Sequence, residues 1–319
     1  MTDRQRTTAR RMEGLRSQRG QSMVLTLVFL TVLLGMAAAV IDVGSWNRAH
    51  RQTQSTADAT ALAGAQELPD SVTSKALALD YAGRNGGGVN SADVTFTSER
   101  ETNDTIHVTA RKTVPGLFTK LLGISSVTAR SAAAARTSPM SSAKWVAPIG
   151  VDYRHDKLHC NTALVCNPEF GVDTSLDLIK TGPGAFRLIN IDGSHGGTGS
   201  QTLADWILNG LDSFMDTNKW YYSDPGAKFN SSNVKNALDA RMGTGKELLF
   251  PIYNDTRANG AGFDYHVVGW VGFTLTRYSI SGSKNNKLFG QFTEIIWEGI
   301  QSEHGGEADF GARSVELTQ

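Results

Sequence analysis

The sequence has no excess of charge of either sign. Its 31 lysines and arginines are matched by 31 aspartates and glutamates, so the whole chain lacks the positive field that grips a phosphate backbone, and no nucleic-acid partner is expected. Cysteine is nearly absent, with two residues in 319, which leaves one possible bridge. Aromatics stay near the usual level while glycine reaches 33 residues, a mixture that suits strands, turns and loops more than a helical bundle. Long apolar runs are also missing, with one exception near the N-terminus. The length is enough for one or two domains that each bury a core.

In that exception, Arg4, Arg6, Arg10, Arg11, Arg16 and Arg19 outweigh Asp3 and Glu13 just ahead of an uncharged run from Met23 to Ile41. At the rise of a helix this run is about 28 Å long, close to the hydrocarbon thickness of a bilayer. Eleven of its residues are Leu, Ile, Val or Phe, which favour insertion by about 3 to 6 kcal/mol before the threonines and glycine are subtracted. A basic arm over 1–22 and a transmembrane helix over 23–43 are therefore expected, with the arm cytoplasmic and everything after Asp42 outside. Two other fates fit parts of the pattern. A cleaved secretory signal would use the apolar stretch from Met23 to Leu34 and the small run Ala37-Ala38-Ala39, leaving a new N-terminus near Val40. Processing after Gly20 would follow the Arg-Gly junction of pilin precursors, whose mature chains carry a glutamate at the fifth position where this chain has Leu25.

The helix is expected to continue past the membrane, because Ser45 to Gln66 contains neither proline nor an interior turn signal. Ala57, Ala61 and Gly64 recur at spacings of four and three, which places small residues on one face where another backbone can approach closely. Taken with Arg19-Gly20-Gln21, Ala39-Val40-Ile41-Asp42-Val43-Gly44 and the stretch from Gln54 to Ala65 around Ala57-Asp58-Ala59, this segment resembles the N-terminal module of TadE/TadG-like proteins of the tight-adherence pilus system. The likeness extends more weakly through Thr113-Val114-Pro115, Leu121-Leu122-Gly123-Ile124 and the stretch from Ala129 to Ala135. The resemblance implies a membrane-tethered pilus-assembly or minor pilin-like role with pilus or assembly-platform proteins as partners. It also marks Asp42, Gly44, Ala57, Asp58, Ala61 and Gly64 as helix-packing positions. Packing of this helix on the chain's own first module is the competing use of the same face.

Beyond the helix, Pro69-Asp70-Ser71 signals a new helix start ahead of Ala76 to Ala82, and Gly86-Gly87-Gly88 ends it. Val94 to Thr97 and Ile106 to Thr109 alternate apolar with polar residues around Thr102-Asn103-Asp104, as a hairpin should. A short helix is expected over Leu117 to Leu122 and a strand over Val127 to Ala135, completing an α+β module over 44–136. Turn formers from Thr137 to Ser142 suggest a linker over 137–144. The remaining 145–319 reads as a β-rich domain. Strands are expected at Phe186 to Ile191, Leu248 to Tyr253, Tyr265 to Ile280 and Gln291 to Ile300, and helices at Thr202 to Phe214 and Ser232 to Met242.

Chemical motifs fail on spacing. Asp192-Gly193-Ser194-His195-Gly196 lacks the final serine of the Asp-x-Ser-x-Ser metal motif found in some TadG-type relatives. Neighbouring Ser194 and His195 do not form a nucleophile elbow. Gly243-Thr244-Gly245-Lys246-Glu247 has Ala240 and Glu247 where a phosphate loop needs glycine and a hydroxyl. Glu294 and Glu298 on extended chain lie about 13 Å apart, too far for the roughly 5 to 9.5 Å of paired glycosidase carboxyls. His155, His159, Cys160 and Cys166 form the one dense constellation. Outside the cytoplasm, Cys160 and Cys166 are expected to pair as a disulfide, with zinc or free thiols as the alternatives. The expected class is thus α+β, without catalytic residues, cofactor, metal or small-molecule substrate. A membrane-anchored extracytoplasmic hydrolase and a secreted adhesin are the rival functions.

Overall fold

A computed structural model describes residues 4–178, 187–223, 228–259, 262–280, 286–303 and 308–318. One helix, α1 (Arg4–Ala65), takes up the first fifth of the chain without a break, as a segment lacking proline should. Among the described residues it is the helix long and apolar enough to cross a membrane, and no residue of its apolar window is buried in the chain. Past the apolar run the helix changes character. Thr53, Thr56, Ala57, Thr60, Ala61 and Gly64 recur every three or four residues and are buried, which is the stripe of a helix lying on a protein core.

The chain is α+β and divides into two compact units built from interleaved pieces: residues 1–60, 79–94 and 108–133 form the first, and 61–78, 95–107 and 134–319 the second. Asp70 caps α2 (Ser71–Arg84) by accepting the amide of Val72 at 2.9 Å and the hydroxyl of Thr73 at 2.6 Å. The expected hairpin forms from β1 (Val94–Thr97) and β2 (Thr105–Pro115). Within the first unit, Thr53 and Ser131 join their hydroxyls at 2.9 Å, and Thr56 donates to the carbonyl of Asn85 at 2.6 Å. These bonds let hydroxyl-bearing residues occupy a buried helix face.

One boundary expected from the sequence is overturned. β3 (Ser126–Ala143) runs straight through the stretch expected to be a linker. Serine and threonine read locally as turn formers, but here each side of the strand has a partner, and pairing overrides propensity. Pro139 is tolerated because the strand exchanges its ladder bonds around it, with its carbonyl accepting the amide of Ser302 at 3.0 Å.

In the second unit, β4 (Val151–Asp152), β5 (Asp173–Asp177), β6 (Met215–Asp216) and β7 (Lys219–Tyr222) are short. β8 (Leu248–Asn259) and β9 (Gly262–Ser279) form the long central hairpin. β10 (Lys287–Thr293), β11 (Ile295–Ile296), β12 (Gly299–Gln301) and β13 (Ala312–Thr318) follow. One sheet has the order β1-β2-β3-β13-β11 with β12 and β6 also on β3, and the other the order β4-β8-β9-β10-β5 with β7 on β9. The core of this unit includes Phe250, Trp270, Phe273 and Phe292, and the indole of Trp270 donates to the carbonyl of Met140 at 3.0 Å.

The single strand expected over Gln291 to Ile300 is instead three. Thr293 pairs with Gly272 in one sheet while Ile295 pairs with Ala312 in the other, so the chain changes sheets within two residues. At Phe186 to Ile191, Phe186 lies outside the described residues, and Leu188 and Ile189 make isolated bridges to Ile149 and Ser223 rather than a strand. α3 (Ser200–Asn209) stops short of the expected Phe214 because Gly210 takes φ +75° and closes the helix on the carbonyl of Trp206. α4 (Ser232–Thr244) is capped by the Ser231 hydroxyl at one end and by Gly245 at φ +61° at the other, so the glycine-lysine stretch at 243–247 is a helix end.

The small-residue face is closely fitted. A Cβ added at Gly64 would lie 2.5 Å from Ile106 Cδ1 and 3.1 Å from Ala78 Cβ. Gly64→Ala should therefore cost about 1–3 kcal/mol by overpacking. Ile106→Val, which removes the colliding methyl at a cost of about 0.5–1.5 kcal/mol on its own, should recover part of that loss in the double variant. Thermal unfolding of the four proteins in detergent checks this, and strict additivity would show that the contact is not as tight as described.

Candidate functional site

Asp42 is the first charge after the apolar run, yet it is completely buried. An unpaired carboxylate in that position would be expensive. Its two oxygens accept three successive backbone amides, from Leu117 at 3.1 Å, Phe118 at 2.9 Å and Thr119 at 2.7 Å. Charge-assisted bonds of this kind satisfy the acid and the amides together.

The three amides come from the connection between β2 and β3. Pro115 ends β2, and Thr119–Leu122 form one turn of 3₁₀ helix, whose leading amides have no partner within the turn. Gly116 closes the loop by donating to the carbonyl of Ser125 at 3.0 Å, and a side chain there would run into the carbonyl of Ile124 at 2.7 Å. Gly123, at φ +89°, ends the turn on the carbonyl of Lys120 at 3.1 Å, a conformation that favours glycine. Phe118 and Leu121 from this loop line an apolar groove together with Thr31, Leu34, Gly35, Ala38 and Ile41 of α1.

The other expected packing positions split into two groups. Ala57 and Ala61 have no exposed surface and Gly64 is buried beside Ile106, so at these positions the small-residue face packs within the chain itself. Gly44 is exposed with nothing within 4 Å of an added Cβ. Asp58 is half-buried and accepts the side-chain amide of Gln54 at 2.7 Å.

Cys160 and Cys166 are joined in a disulfide. His155 faces the carbonyl of Ser175 at 3.2 Å and accepts the amide of Lys157 at 3.2 Å, while His159 bonds Glu169 at 2.6 Å. Both imidazoles are thus engaged in local structure. Ser194 and His195 sit in a loop pinned by Asn190, which donates to the carbonyls of Ser194 at 3.0 Å and Gly196 at 2.7 Å.

Residues 20–67 match the family model described as putative Flp pilus-assembly TadE/G-like. No curated protein and no solved structure matches the chain. The matched segment begins three residues before the apolar run and ends two residues after α1, so the TadE/G-like signature is written on this helix. The loop that receives Asp42 lies outside the match.

Two features were missed in the sequence. One is the partnership of Asp42 with residues 117–119, for which the only signal was the Leu-Leu-Gly-Ile stretch. The other is a second aspartate used the same way. Asp104 is buried and accepts the amides of Glu99 at 2.9 Å, Arg100 at 2.8 Å and Glu101 at 3.1 Å, with the Thr105 hydroxyl at 3.0 Å. Burial raises its pKa, but the amides and the hydroxyl outweigh it and hold the carboxyl below the usual aspartate value.

Two predictions follow from these aspartates. Because the folded pKa of Asp104 is depressed, the stability it contributes is present above the unfolded aspartate pKa and is lost as pH falls through the folded value. Asp104→Asn should cost about 1–3 kcal/mol at pH 7 and flatten the fall in the urea midpoint below about pH 4; an unchanged acid limb would contradict the assignment. Asp42→Ala should free the 117–124 loop, so that trypsin in detergent cuts after Lys120 at least about tenfold faster than in the wild-type chain. Equal cutting rates would show that the carboxylate does not hold the loop.

Proposed function

We propose that this chain is a single-pass cell-membrane protein of a Tad-type pilus system, with its N-terminus cytoplasmic and the rest extracytoplasmic, acting through protein–protein contacts as an assembly factor or minor pilin-like subunit. The observation that carries the reading is the match of residues 20–67 to the TadE/G-like family model on a helix that is apolar, unbroken and uncovered across 23–41. The arginine-rich arm supports the orientation. The Cys160–Cys166 disulfide supports an oxidising location for the second unit. No chemistry is required of the chain, and its partners would be pilus or assembly-platform proteins.

The division of the helix supports one choice of partner face. Since Ala57, Ala61 and Gly64 are used internally, the partner face is the one carrying Gly44, Asn47, Arg51 and Gln54, spaced by three and four residues and exposed, with half-buried Asp58 at its end. Gly44 gives that face one point of close backbone approach.

In cells, a photoreactive residue at Arg51 should cross-link to other membrane proteins of the pilus system, one at Ala61 should give only monomer, and deletion of the gene should abolish piliation. Protease added to spheroplasts should remove the C-terminal unit. Normal piliation in the deletion strain would refute the assembly role, and a C-terminal unit digested only after lysis would refute the orientation.

A further inference from the structure

We propose that the loop at residues 117–124 is a second membrane-contacting element, inserted in the lipid beside α1 on the exit side of the bilayer. The proposal rests on the spanning reading above. Its first support is position. The groove lined by Phe118 and Leu121 reaches along α1 from Ile41 back to Thr31, and Thr31 lies about 16 Å along the helix from Asp42. If 23–41 fills a hydrocarbon layer of about 30 Å, this groove runs through its outer half, and the side chains that wall it lie at lipid depth.

The second support is composition. Leu117, Phe118, Leu121 and Ile124 are all exposed, Leu121 to 89%, which puts four large apolar side chains within eight residues. Lys120 is the one charge among them, and its long stem suits a headgroup contact with an apolar base.

The third support is the backbone. Irregular chain is tolerated at membrane depth only where its polar groups are satisfied by protein. The amides of Gly116, Leu121, Gly123 and Ile124 donate to carbonyls of the same loop. Those of Leu117, Phe118 and Thr119 donate to Asp42. An aqueous loop would have water for these three, so a buried carboxylate would be unnecessary. One turn beyond Asp42, the half-buried indole of Trp46 occupies the level at which aromatic residues mark a membrane–water boundary.

The occupant is lipid rather than a protein partner because the loop's apolar surface continues the uncovered surface of the spanning helix. A loop locked to α1 by Asp42 and immersed in the outer half of the bilayer sets the depth of the helix, and so the height at which the Gly44–Arg51 face leaves the lipid.

The test uses the full chain reconstituted in phosphatidylcholine vesicles with or without dibrominated acyl chains. The native cysteines are paired, so a bimane can be attached selectively at Leu121→Cys, an exposed position, or at Val28→Cys inside the span. We expect both probes to lose at least half of their fluorescence in the brominated vesicles. Quenching at position 28 without quenching at 121 would overturn the proposal and leave the spanning helix standing. Absence of quenching at both would overturn the spanning reading and the proposal with it.

Discussion

A negative charge at the end of an apolar helix cannot remain both buried and unpaired, and the way Asp42 avoids this organises the first unit. Its carboxylate needs donors, and the β2–β3 loop has three leading amides with no acceptor of their own. Each solves the other's problem, since a buried charge and buried unpaired amides are costly separately and compatible together. The consequence is mechanical. The end of the apolar run is tied to the connection between β2 and β3.

Seen from that tie, the rest of the helix divides by task. From Met23 to Ile41 it presents apolar side chains all round, as a membrane segment does. After Asp42, threonines and alanines face inward, and the hydroxyls of Thr53 and Thr56 bond to Ser131 and Asn85. A small-residue face buries little apolar area but allows close approach, and at Gly64 that approach leaves no room for a methyl group. The polar face left over, carrying Gly44, Asn47, Arg51 and Gln54, is exposed.

Much of this was legible in the sequence, and the failures have physical causes. The long apolar helix, its continuation to Ala65, the Asp70-capped α2 and the β1–β2 hairpin are written in local signals: a long apolar run, the absence of proline, an N-cap and an alternating pattern. The strand at 137–143 looks like a linker in the sequence because serine, threonine and proline speak for turns locally, while the pairing of β3 with β13 depends on residues almost 180 positions away. The switch of sheets at Glu294 was invisible for the same reason. Asp42 stood out in the sequence, but its partners 75 to 77 residues away did not. The inward use of Ala57 and Ala61 was one of two readings the sequence left open, because small residues serve intramolecular and intermolecular packing equally.

The three amides that meet Asp42 hold the β2–β3 loop to α1. With the full chain in lipid nanodiscs at neutral pH, hydrogen exchange resolved to single residues should show the amides of Leu117, Phe118 and Thr119 protected to the level of the neighbouring strands β2 and β3. Exchange of these three at the rate of a solvated loop, with the strands still protected, would contradict that attachment.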